Sequence, residues 1–137
     1  MDVVVLIGRV LFVVLFFGSA IGHFTQTEAM TGYAQSRGVP AAKAGVLVSG
    51  LLMALGGLSV LLGIWADLGA LLLFIMLLPT AVLMHGFWSE TDAEAKQMEM
   101  IQFNKDLALA GASLMLFAFF AHTDELGLTI TGPLFSL

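Results

Sequence analysis

Residues 98–122 read MEMIQFNKDLALAGASLMLFAFFAH, and the parsing of this stretch decides the fold. Its apolar part, Leu107 to Ala121, is about 15 residues long, whereas a membrane-spanning helix needs roughly 20. Three polar residues, Asn104, Lys105 and Asp106, stand directly before it. Either the segment is too short to cross a bilayer, or its helix begins early and carries the triplet into the membrane edge. The rest of the chain decides for the second reading.

Of the 137 residues, 59% are hydrophobic and 11% are charged, and the mean hydropathy is +1.00. Ordinary soluble domains carry about 25% charged residues, and a soluble core of this size leaves too much surface exposed to hide such an apolar excess. Three more apolar runs precede the quoted one: Val3 to Gly22, interrupted only by Arg9, then Gly45 to Ile64 and Leu68 to His85. The composition and these runs predict an all-α integral membrane four-helix bundle. It forms one domain over residues 1–137, with spans at roughly 3–22, 45–64, 68–86 and 104–122. The runs are continuously apolar and lack the alternation of a membrane β-barrel. The first run and its "GSA" resemble a signal peptide, but Arg9 lies inside the run and Asp2 weakens the basic start, so an uncleaved span is expected.

The connections differ in kind. "WAD" (65–67) is a tight turn, which makes spans two and three antiparallel neighbours. Loop one (24–44) is broken at Gly38 and Pro40, with a helix start expected near Ala41 to Ala44. Loop three, GFWSETDAEAKQMEM (86–100), is acidic and reads as helical after Ser89, with Ser89 as the cap and Asp92 three places on. The tail (123–137) is too short to span and is expected at the membrane surface. Arg37, Lys43, Lys96 and Lys105 lie toward loops one and three, so the positive-inside rule puts both loops in the cytoplasm. Small residues four apart (Gly18 and Gly22, Gly50 and Ala54, Ser59 and Gly63, Ala108 and Ala112) are read as packing within the bundle rather than as a dimer interface.

Several function classes drop out. The chain has no cysteine, which removes disulfides, thiolate metal sites, C-x-x-C-H haem attachment and a cysteine nucleophile. The net charge of −5 comes without a basic stripe for nucleic acid. No serine sits in a G-x-S-x-G context and there is no phosphate loop. His23 and His85 have no third intramembrane histidine on their face, so neither haem nor a metal is expected.

Ionisable residues inside membrane spans are costly and are functional candidates by default. Spans one and three run the same way, so His23 and His85 end at one membrane face, where span four begins with Asn104, Lys105 and Asp106. With Trp88 at interface depth, these groups can converge in one shallow pocket. That gives a candidate ligand-binding set of His23, His85, Trp88, Asn104, Lys105 and Asp106, in which His85, Asn104 and Lys105 can hydrogen-bond a quinone carbonyl. The bland reading keeps each residue structural: Lys105 as a snorkelling anchor, and Asp106 as a favourable charge at a helix N-terminus. Arg9, the one intramembrane charge near the other face, is expected to snorkel to its own end or to pair with Asp2, Asp124 or Glu125.

GRVLFVVLFFGSAIGHF (8–24), GVP (38–40), the run from Gly50 to Trp88 and QFNKDLALAGASLML (102–116) together resemble the DoxX family of small bacterial membrane proteins. The resemblance implies a four-helix membrane bundle, with Arg9, His23, Pro40, His85, Asn104 and Lys105 at the family's recurrent polar positions. Here His23 stands where many members carry lysine, and Asn104 precedes Lys105 where the motif usually runs lysine then asparagine. The family's name comes from a relative of subunits in a thiosulfate:quinone oxidoreductase, and some members are linked to oxidative-stress and sulfur-handling assemblies. What it implies is a redox-associated membrane subunit of the bacterial inner membrane with redox protein partners. Together with the interfacial polar cluster, this gives the expectation of an accessory or membrane-anchor subunit of a quinone-linked redox complex, with quinone the one candidate ligand and no cofactor assigned. The resemblance does not imply an enzyme in its own right. The alternative is a non-catalytic scaffold or a binder of lipid or small molecules; monomer and homo-oligomer both stay open.

Overall fold

A computed structural model describes residues 1–123, 126–135 and 137. The described residues are helical wherever they are regular: α1 (Asp2–Thr25), α2 (Thr27–Ser36), α3 (Ala42–Leu62), α4 (Ala66–Met84) and α5 (Ala93–His122), with a 3-10 turn at Phe87–Ser89 between the last two. Four of these, α1, α3, α4 and α5, are long and apolar enough to cross a membrane. The all-α membrane bundle is therefore what the sequence forms. Large apolar side chains cover its outside: Leu11 is 71% exposed, Val14 61% and Met115 70%. Such a surface needs lipid as its solvent.

α1 packs on α3, α3 on α4 and α4 on α5, while α2 lies against α3. Close approach depends on particular glycines. A Cβ on Gly50 would lie 2.7 Å from His23 Cβ, so this glycine lets α1 come up against α3. Gly56 of α3 faces Leu73 and the Gly69 carbonyl of α4 in the same way. Gly18, by contrast, has open space around it. Between α3 and α4 the chain reverses over three residues, helped by Gly63 at φ +65°, a conformation glycine adopts without penalty.

Three features of the connections differ from the sequence reading. Loop one contains α2, a ten-residue helix held by Ala34 and Met30 against Ala42, Val46 and Met84. α5 begins at Ala93, with Asp92 as its cap accepting from the Ala95 N–H at 2.9 Å. Ser89 is instead the last residue of the 3-10 turn and donates to the Gly86 carbonyl. Asp92 wins because its carboxylate reaches an N–H orphaned by the helix start. α5 thus runs for 30 residues, about 45 Å at 1.5 Å per residue, longer than a hydrocarbon core of about 30 Å. Asn104, Lys105 and Asp106 therefore lie well inside a helix longer than the hydrocarbon core, not at its start.

At the far end the tail closes the bundle. The N–H groups of Ile130 and Thr131 bond the Gly63 carbonyl at 3.1 and 2.9 Å. Asp67, fully buried, accepts from the N–H groups of Leu134 at 3.0 Å and Phe135 at 2.6 Å. Arg9 belongs to this closure. Its Nε donates to the Val60 carbonyl at 2.8 Å, Nη1 to that of Leu128 at 2.9 Å, and Nη2 to that of Leu61. Val60 and Leu61 lie in the last turn of α3, whose carbonyls have no helical donor. At 2% exposure, Arg9 neither snorkels outward nor, among the described residues, has a carboxylate at ion-pairing distance; Asp124 and Glu125 lie outside those residues.

Candidate functional site

The opposite end, where loops one and three meet, encloses a cavity of about 490 Å³. α1 supplies Phe16, Ser19 and His23; α3 supplies Val46, Ser49 and Met53; α4 supplies Leu77 and Thr80. α2 lies over the cavity with Met30 and Tyr33, and α5 contributes Lys105 and Asp106 beside His85. Apolar walls with a few polar groups gathered at one end, within about 300–1,000 Å³, are the usual make-up of a small-molecule site.

A chain of polar contacts runs along this end. The Tyr33 hydroxyl donates to Glu99 Oε1 at 2.5 Å, and His85 Nδ1 lies 2.8 Å from Glu99 Oε2. His85 Nε2 then faces Asp106 Oδ2 at 3.8 Å. Asp106 Oδ1 is 3.5 Å from Lys105 Nζ, which also donates to Gln102 Oε1 at 2.6 Å. Asp106 is only 5% exposed, so its charge is matched by a neighbour rather than by water. His23 Nδ1 is fixed by the Ser19 carbonyl oxygen at 2.7 Å. Above the chain, Arg37 pairs with Glu90 and donates to the Gly86 carbonyl at 3.2 Å, tying loop one to loop three. Burial first, then the hydrogen bond to Glu99, push the Tyr33 phenol up to about 12.

Of the sequence candidates, His23, His85, Lys105 and Asp106 come together in the cavity wall. Asn104 does not line it and is exposed on another side of α5; one residue along a helix turns a side chain by about 100°. Trp88 does not line it either. It stacks edge-on with Phe87 and Phe103, ring centroids 5.4 and 5.7 Å away, and is 57% exposed. Arg9 sits at the far end. Asp106, in the fourth turn of α5, does not act through the helix N-terminus as the bland reading had it. Glu99 and Tyr33 were missed, and Glu99 carried a signal: it stands seven residues before Asp106, two turns along one helical face.

The set places hydrogen-bonding groups beside His85 and apolar side chains along the rest of the wall. No curated protein and no solved structure matches the chain. A family model described as DoxX matches residues 4–86, which covers α1 to α4 and ends just past His85. The chain belongs to the DoxX family, as a multi-pass membrane protein.

Proposed function

We propose that this DoxX protein is an accessory or membrane-anchor subunit of a quinone-linked redox complex in a bacterial inner membrane, with loops one and three in the cytoplasm. Its cavity takes an amphipathic small molecule of the quinone type. The observation that supports the reading is the apolar cavity of about 490 Å³ with His23, His85, Lys105 and Asp106 in its wall. The hydrocarbon part of the ligand lies against Phe16, Met53 and Leu77, and its head group meets the polar end. Asp106 and His85 are placed to take up or return a proton there.

Protein purified in mild detergent should co-purify quinone or bind an added analogue. His85→Ala and Lys105→Ala should each weaken that binding by about tenfold or more, which is about 1.4 kcal/mol, with a smaller loss in thermal unfolding, since each also removes a neighbour of the buried Asp106 carboxylate. Equal losses of binding and stability would defeat the site. The predominance of apolar wall favours a second reading, a non-catalytic scaffold that holds a lipid or another amphiphile. Under that reading the purified protein carries lipid, and neither co-purifies quinone nor binds the analogue.

A further inference from the structure

The cavity reaches the outside of the bundle where lipid, not water, is the neighbour. Leu15 belongs to its wall and is also 38% exposed, so at this residue the wall and the outer surface coincide. Leu15 stands near the middle of the α1 span, one turn from the exposed Leu11. Phe17 and Phe24 lie against Gly57 and Gly50 of α3. Two residues of helix turn Leu15 about 200° round from Phe17, to the side of α1 away from α3. Ser19 shares that side one turn on and lines the cavity as well. Lys105, Leu109 and Leu116 form one stripe of α5, and Leu109 and Leu116 join the apolar clusters that hold Phe12, Phe16 and Val13.

α1 packs on α3 and α2, and α5 on α4 and the 3-10 turn, but α1 and α5 do not pack as a pair. Side chains alone fill the seam between them. Phe12 and Phe16, ring centroids 5.0 Å apart, close it below the cavity, in the cluster that Leu109 and Ala110 also join. At Ser19 and Lys105 the filling stops and the cavity begins. The water side is built the opposite way. α2 covers the cavity and is tied down by Tyr33 to Glu99 and to the Met84 carbonyl at 3.4 Å. Arg37 ties it to Glu90 and the Gly86 carbonyl, and Glu28 to Lys43 of α3 at 2.6 Å. Pro79 and Leu83 are exposed wall residues too, but their helix, α4, is packed on both its neighbours, α3 and α5.

We infer that the cavity is loaded from the bilayer, sideways through the seam between α1 and α5, with α2 a fixed cover rather than a gate. The occupant that fits is a lipid-dissolved amphiphile with a small head group and a hydrocarbon chain. Its head group lies under α2 beside His85, and its chain leaves past Ser19 and Leu15 into the lipid. This route rests on the cavity being a ligand site, and it adds the requirement of a chain. A bare water-soluble head group has neither the route nor the apolar contacts along the seam.

The chain has no cysteine, so introduced pairs react alone. Ser19→Cys with Leu109→Cys spans the seam, and Arg37→Cys with Glu90→Cys ties down the cover. Each pair, in nanodiscs, is joined by the same permeant bis-maleimide and compared with itself before joining, while uptake and release of a tritiated decyl-quinone are timed. Joining the seam pair should slow both by about tenfold or more, since an obstructed path acts on the on-rate and the off-rate alike. Joining the cover pair should change neither. Ser19→Trp, which fills the seam without a reagent, should also slow both; faster release with unchanged uptake would make Ser19 a wall residue and overturn its place in the path. Slowing by the cover bridge alone would mean entry from the water side, and no effect of either bridge would mean entry elsewhere, such as between α3 and α4. Each of these overturns the route. The same quinone without its chain should not displace the decyl compound, and equal displacement would overturn the requirement for a chain. If the wild-type protein takes up no quinone, the quinone-type ligand fails, and the route is read on exchange of a fluorescent phospholipid under the same bridges. Uptake of neither would remove the cavity as a ligand site, and the route with it.

Discussion

Asp106 is the residue whose meaning changes most between sequence and structure. Read as the start of a span, it earns a favourable interaction with the helix dipole; placed inside α5, it holds Lys105 and faces His85. Asp106→Asn should therefore cost about 1–3 kcal/mol, the range for disturbing a buried group with close ionic neighbours, as read by unfolding in detergent. A cost of a few tenths would return Asp106 to a dipole role. Arg9 makes three carbonyl contacts from one planar group. Arg9→Ala should cost about 2–4 kcal/mol by orphaning carbonyls in an apolar setting, and Arg9→Lys should recover only part, because an ammonium lacks the fork. Tyr33 is the one tyrosine in the chain, so ultraviolet titration reads it alone. Its phenol should ionise at about 12. Because the folded state favours the neutral form, this contribution to stability is whole below the ordinary value of about 10 and is lost as pH rises through 12. Removing the carboxylate in Glu99→Gln should bring the midpoint down part of the way, burial being the larger cause. An unmoved midpoint would mean that Tyr33 and Glu99 do not meet.

At the scale of elements, α5 shows why a boundary matters. Its buried positions Asp106, Ala110, Ser113 and Phe120 follow a three-and-four spacing, and Glu99 extends the same stripe one heptad upstream. The stripe was readable in the sequence, but only once the helix was known to start at Ala93. Asp92→Ala should cost about 1 kcal/mol through the lost cap, whereas Ser89→Ala should leave α5 stable; the reverse order in unfolding measurements would restore the earlier boundary. α2 was not legible for a different reason. TEAMTGYAQS mixes threonine, glycine and alanine with no apolar run, and its helix is secured by packing on α3. Gly50→Leu should destabilise the contact of α1 with α3, since its Cβ alone would meet His23 at 2.7 Å; overpacking of this kind costs about 1–3 kcal/mol.

For the whole molecule, the contacts of Arg37 with Glu90 and of Tyr33 with Glu99 put loops one and three at the same end. The cysteine variants Gln35→Cys and Glu94→Cys should label from one side of the membrane, and Ile130→Cys from the other. Labelling of all three from one side would contradict the bundle. The far end is closed by its own tail, with Asp67 and Arg9 holding backbone groups, so the cavity belongs to the loop end alone.

Membership of the membrane class, the number of spans and the shared face of His23, His85, Lys105 and Asp106 were written in the order of residues. They follow from local quantities: apolar run length against bilayer thickness, and the parity of crossings that brings alternate span ends together. The Glu99 bridge, the Arg9 clamp on α3, the lid formed by α2, and the exclusion of Asn104 and Trp88 were decided by tertiary structure. Each depends on helix rotation and on contacts between residues far apart in the chain, 51 positions for Arg9 and Val60 and 66 for Tyr33 and Glu99. Hydropathy states how much of a helix faces lipid; only packing settles which side of it turns inward.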